Sequence, residues 1–240
     1  MVLVLCEEGD LAAAWAAERL RERSIEVDVV TGADLAAAGH LEHRIGVDGI
    51  TFELALADGR QLSRARVHGM LNRLSFLPSA WVRRLGGPDR DYALQESYAL
   101  YLSWLHAFEG PKLNAPTPQG LCGNWRHPSA WAALALQVDL PAKPYRQSSR
   151  DDPGVLWQGA MAPPPAAAYV VGERVVAEPP VQAFAAPCRR LAAAAGASLL
   201  GIDFAAGADG HWHFTGATVL PDLVRGGAPL ADALAEVFRP

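Results

Sequence analysis

Lysine is almost missing from this 240-residue chain: of its 21 basic residues all but Lys112 and Lys143 are Arg. Together with the abundant Ala this is the mark of a GC-rich bacterial genome, and it also constrains mechanism. Chemistry that needs several ammonium groups must find them at those two places. Cysteine is scarce as well. Cys6, Cys122 and Cys188 are odd in number and far apart, which argues against a disulfide framework or a zinc–thiolate site and suits a reducing, cytoplasmic compartment. No uninterrupted apolar run reaches about 18 residues, so no membrane span is expected. The start, Met1-Val-Leu-Val-Leu-Cys6, has neither the basic opening nor the small-residue cleavage site of a signal peptide. With a net charge of −5, the chain lacks the surplus of positive charge that duplex nucleic acid requires, and no nucleic-acid partner is expected. Neither a P-loop nor a Gly-x-Gly-x-x-Gly or Gly-x-Ser-x-Gly segment occurs.

What is present is an alternation of strands and helices. The hydrophobic content of 50% is enough for one large domain or two small ones. The apolar run 2–6 reads as a buried strand, 10–23 as a helix with Asp10 as N-cap, and 25–30 as a second strand. Strand, helix, strand within about thirty residues is a βαβ unit and implies a parallel sheet. Residues 44–57 form a hairpin turning at Gly46-Val-Asp-Gly49, and 66–71 a strand ending at Asn72-Arg73. The helix 89–108 places Tyr92, Glu96, Ala99, Tyr101 and Trp104-Leu105 on one broad face. Lys112-Leu113-Asn114-Ala-Pro116 is a strand end and turn, and 127–137 a helix. Residues 146–168, rich in Pro and Ala, read as a linker. A hairpin over 168–177 turns at Gly172-Glu173, followed by helices over 185–195 and 228–238.

Between those helices lies Gly201-Ile-Asp203-Phe, a tight turn at Asp209-Gly210, and then Phe214-Thr-Gly216-Ala-Thr218. These are two strands with an acidic residue on the first. In this hairpin, and in the order of the parts before it, the chain resembles the ATP-grasp superfamily, in the branch of ribosomal-protein glutamate ligases and graspetide peptide maturases. The fold implied is α/β: a parallel-sheet, pre-ATP-grasp-like domain over 1–110, then a shortened ATP-grasp-like α+β domain over 111–240. The resemblance assigns Asp203 as a metal ligand, Arg126 and Lys143 to the nucleotide, and Arg73 and Asn114 to the substrate.

The same resemblance exposes departures. The family's Glu-x-Asn on the second strand, which holds magnesium with the Asp, reads Gly216-Ala-Thr218. Where a phosphate-binding Lys is expected stands Arg126, whose planar fork does not replace a point charge. Only about 24 residues separate Pro144 from Tyr169, too few for the subdomain that covers a nucleotide. The leading expectation is therefore a degenerate protein without a cofactor, serving as a binding or accessory subunit for a peptide, a small carboxylate or a partner enzyme. Self-association into a homodimer would use the exposed grasp sheet. The alternative is an active ATP-dependent carboxylate–amine ligase with a rearranged Mg-ATP site built on Asp203, Arg126 and Lys143. Two further features have two readings each. His211 and His213 share one strand face, as a metal pair or as solvated side chains, and Cys122 is either a nucleophile or a buried structural thiol. Arg73, Arg83, Arg84, Arg90 and Arg126 either line one cleft or pair with nearby carboxylates.

Overall fold

A computed structural model describes residues 1–47, 49–142, 145, 166–207 and 210–239, for Arg83 and Arg84 the backbone alone. Lys143, Asp209 and all but the last three residues of the expected linker lie outside these. The chain falls into two compact units, residues 1–124 with 222–240, and residues 125–221.

In the first unit, β1 (Val2–Cys6) is buried at every position. It leads through α1 (Leu11–Arg21) to β2 (Val27–Thr31), and Asp10 caps α1 by accepting from the Ala13 amide at 2.9 Å. One helical turn, α2 (Gly32–Ala36), opens a meander of β3 (His40–Gly46), β4 (Gly49–Ala55) and β5 (Gln61–Ser63). The chain returns as β6 (Gly69–Asn72), crosses α3 (Gly87–Ala107) and ends the sheet with β7 (Lys112–Leu113). The strand order is β2-β1-β6-β7, parallel throughout, as the βαβ reading requires. Leu3, Leu5, Phe52, Leu54, Leu74 and Trp104 build its core.

The buried face of α3 is Ser97, Tyr101, Trp104 and Leu105, spaced i, i+4, i+7, i+8 as one helix stripe demands. Tyr92, Glu96 and Ala99 are exposed, a correction to the broader aromatic face expected. Only the C-terminal half of α3 meets the core.

In the second unit, α4 (Pro128–Gln137) precedes the antiparallel sheet of β8 (Ala166–Val171), β9 (Arg174–Ala177), β10 (Leu199–Ala206) and β11 (Trp212–Thr218), with α5 (Ala185–Ala195) between β9 and β10. The order is β11-β10-β8-β9. One face buries Ala168, Val170, Leu200, Ile202 and Phe204 beneath α4 and α5.

The closing helix, α6 (Leu223–Phe238), starts five residues earlier than its sequence pattern suggests, because Asp222 caps it by accepting from Val224 N at 3.0 Å. The missed turn is set off by a break at Gly227, φ 57° and ψ −154°, a conformation open essentially to glycine alone. Although α6 follows the second unit in sequence, it packs on α1 in the first, where Asp232 pairs with Arg23 at 2.7 Å.

Candidate functional site

Alternation along β10 sends Leu200, Ile202 and Phe204 into the core and Asp203 to the opposite face, where it is half-buried. The β10–β11 register puts Gly201 opposite Thr218, Ile202 opposite Ala217 and Asp203 opposite Gly216. Beyond Asp203 the register shifts, so that Phe204 faces Phe214 and Thr215 is the extra residue of a bulge. Asp203, Gly216 and Thr218 thus share one face of one hairpin, as the resemblance requires.

Each of those positions has a definite physical state. A Cβ built at Gly216 meets nothing within 4 Å. The glycine there answers no steric demand at the Cβ position, and its register partner Asp203 faces no second carboxylate. The Thr218 hydroxyl oxygen accepts from the Leu220 amide at 3.1 Å, tying down the turn that leaves the strand. Gly201 is different, since a Cβ there would lie 2.6 Å from Cβ of Pro221. Glycine is required at that crossing.

Arg126 lies beside the C-terminal end of α5 in the same unit. Its Nη2 donates to the Ala195 carbonyl at 3.3 Å, and its guanidinium lies 5.7 Å from the centre of the Trp131 ring. A cation at the last carbonyls of α5 is where the helix dipole favours it. The side chain is therefore partly engaged by protein, while its buried Nε has no hydrogen-bond partner among the described residues. Neighbouring His127 caps α4 through Nδ1, accepting from the Ser129 amide at 3.3 Å.

A second constellation lies in the first unit, at the carboxyl ends of β1 and β6. The strand order reverses at β1, and crevices at such points are where open α/β sheets hold ligands. Here the side chains bordering the crevice pair with the protein itself. Arg73, buried, grips Asp10 through Nε at 2.8 Å and Nη2 at 3.2 Å, a two-point fork on the carboxylate that also caps α1. Glu7 accepts from the Ser75 and Phe76 amides at 2.8 and 2.9 Å. Asn72 donates to the carbonyls of Asn114 and Leu121 at 3.0 and 2.7 Å, binding β6 to the loop after β7. Both candidate substrate residues, Arg73 and Asn114, are thus part of this latch, and Asn114 is as deeply buried as Asn72.

Cys6 and Cys122 adjoin it. Burial pushes the Cys6 thiol up from 9.0 to about 11, with Asp10 adding to the effect and Arg73 opposing it. Burial also raises Cys122, against the pull of Arg73 and a hydrogen bond with Ser75. A thiol held protonated is not an activated nucleophile, which supports the structural reading. Glu7 and the Arg73–Asp10 fork were not legible as partners in the sequence, where Asp10 is already explained as a cap.

No family model matches the chain, and no curated protein matches it by sequence. Solved structures do match it. The macrocyclase MdnC, bound with precursor peptide MdnA, from Microcystis aeruginosa superposes with a TM-score of 0.73 at 11% identity, over 100% of this chain and 99% of that one. The macrocyclase MdnB of the same organism gives 0.67 at 14% identity, over 99% of both chains. A RiPP-associated ATP-grasp ligase from Chryseobacterium gregarium, in complex with ADP and a leader and core peptide, gives 0.67 at 10% identity, over 98% of this chain and 95% of that one. The protein has an ATP-grasp-like fold, in the form seen in these peptide-modifying enzymes.

The group that fold implies is Mg-ATP, and the hairpin is a poor match for it. Magnesium wants near-octahedral oxygen coordination with one or two carboxylates. Asp203 supplies one, Gly216 supplies none, and Thr218 offers only a neutral hydroxyl that accepts a hydrogen bond from the Leu220 amide. No phosphoryl-transfer step is derived through these residues.

Proposed function

We propose that the chain uses an ATP-grasp-like scaffold to bind a peptide, as an accessory subunit of a peptide-modifying system, and does not carry out nucleotide chemistry itself. The observation that carries this reading is that the register sets a glycine, Gly216, opposite Asp203, so that the second strand offers no carboxylate there. The face that the resemblance assigns to the metal keeps one acidic residue, and at Gly216 a Cβ would meet no steric barrier. Phosphoryl transfer relies on metal and cations placed around the transferring group, and a single carboxylate on this face is a deficit for that chemistry.

The peptide half of the reading draws on the similar folds, two of which were solved with precursor or leader and core peptides. It also draws on the first unit's own surface. A groove of about 750 Å³ runs between α2, β3 and α3, lined by Leu35, Leu41, Leu100, Tyr101 and the exposed Trp81. An apolar cleft with an exposed aromatic suits an anchored peptide side chain.

The test is fluorescence anisotropy with labelled precursor peptides, beginning with MdnA of the similar MdnC complex, titrated with the full chain. Saturable binding weakened by Trp81→Ala is expected. Absence of saturable binding would redirect the reading to a small carboxylate or a partner enzyme.

A further inference from the structure

On the outer face of the meander, alternation brings His40, Glu42 and Arg44 to one side of β3, while Phe52 and Leu54 of β4 turn inward to the core. Glu53, between those two, therefore faces outward with Glu42, and the register sets the two carboxylates directly opposite each other. Like charges in that position repel, and Arg44, ion-paired with Glu42 and within reach of the Glu53 charge, offsets only part of their combined charge of −2. We propose that His40, Glu42 and Glu53 form a binding site for a divalent cation of the zinc class.

Three features of the structure support the assignment. The ligand atoms of the three side chains all lie within 4.8 Å of one another, a grouping of this kind found once among the described residues. A zinc ion with bonds near 2.0–2.2 Å holds its ligand atoms roughly 3.3 Å apart, so small rotations of exposed side chains close the site. His40 Nε2 and Glu42 Oε2 already stand at 3.6 Å.

Glu42 is also oriented from behind. Arg44 Nε donates to its Oε1, which leaves Oε2 turned toward His40. A hydrogen-bonded outer partner that fixes a ligating carboxylate is a recurrent part of metal sites. Finally, His40 and Glu53 border a cavity of about 480 Å³ whose wall also includes Gln61, Ser63 and Arg66. The cavity leaves room for water or an exchangeable ligand to complete the coordination. One imidazole with two carboxylates suits zinc, copper or nickel rather than magnesium or calcium, which take oxygen ligands. The site belongs to the first unit and does not depend on the fate of the Asp203 hairpin in the second.

The experiment is calorimetric titration of zinc chloride into the full chain after treatment with a chelator, with circular dichroism to verify folding. Wild type should bind one equivalent of zinc. His40→Asn and Glu53→Gln should each weaken it at least about tenfold, the scale set by losing even an outer-shell partner; His40→Gln replaces His40→Asn should the latter fail to fold. His213→Asn should change nothing, and magnesium at the same concentrations should give no heat. Cobalt(II) in place of zinc should give visible absorption that disappears in the His40 variant. Undiminished zinc binding in the His40 and Glu53 variants, its loss in His213→Asn, or no zinc binding by wild type would overturn the proposal.

Discussion

Asp203 and Gly216 stand directly opposite each other on β10 and β11, one bearing a carboxylate and the other nothing beyond its Cα. The two neighbouring glycine positions of this hairpin behave differently under substitution. Gly216→Ala meets open space and should stabilise the protein slightly, by about 0.4–1 kcal/mol, through the unfolded chain. Gly201→Ala drives a methyl into Pro221 and should cost about 1–3 kcal/mol. Urea denaturation of the two variants checks the contrast.

Asp203 itself should be nearly dispensable. If the face it occupies no longer binds magnesium, Asp203→Asn should shift stability by no more than about 1 kcal/mol, as for a partly exposed charge. Peptide binding should be unchanged. A loss of peptide affinity in this variant would place the carboxylate in the binding surface.

The Arg73–Asp10 fork should be far more sensitive. Asp10→Asn preserves an N-cap side chain for α1 while removing the charge that Arg73 grips. Breaking a buried pair from one side costs about 3–5 kcal/mol. The double variant Asp10→Asn, Arg73→Met should cost less than the sum of the single changes, since the two share one interaction. Additive losses would show that the fork is not the source.

The thiols give an alkaline signature. Cys6 is raised to about 11 and Cys188 to about 12, in both cases mainly by burial. Their folded-state values exceed the unfolded ones, so the folded form keeps a proton that the unfolded chain releases. The stability this holds is complete below about pH 9 and is lost as the pH climbs through the folded values. Cys6→Ala should flatten the decline between pH 9 and 11 in a series of denaturation curves. Iodoacetamide at pH 8 should leave Cys6, Cys122 and Cys188 unmodified in the native protein and label all three in denaturant.

The sequence made the periodic parts of this structure legible. The run 2–6, the alternation around Asp203 and the turn at Gly172-Glu173 each carry their own local signal, and the strands stand where those signals put them. What was hidden depends on partners far apart in the chain. Arg73 and Asp10 are 63 residues apart, and nothing local to either names the other. Glu42 and Glu53 face each other only once the Gly46–Gly49 turn has set the register. The placement of α6 on α1 likewise follows from tertiary packing: Asp222 and Gly227 set its start and its break, and only the folded chain shows which unit receives it.

The most direct test of the central claim is calorimetry of the wild-type chain with Mg-ATP. The account predicts no saturable heat, because Gly216 and Thr218 give magnesium no second carboxylate beside Asp203, only a neutral hydroxyl that already accepts a hydrogen bond. Micromolar binding that disappears in Asp203→Asn would contradict it and favour instead an ATP-dependent ligase with a rearranged site.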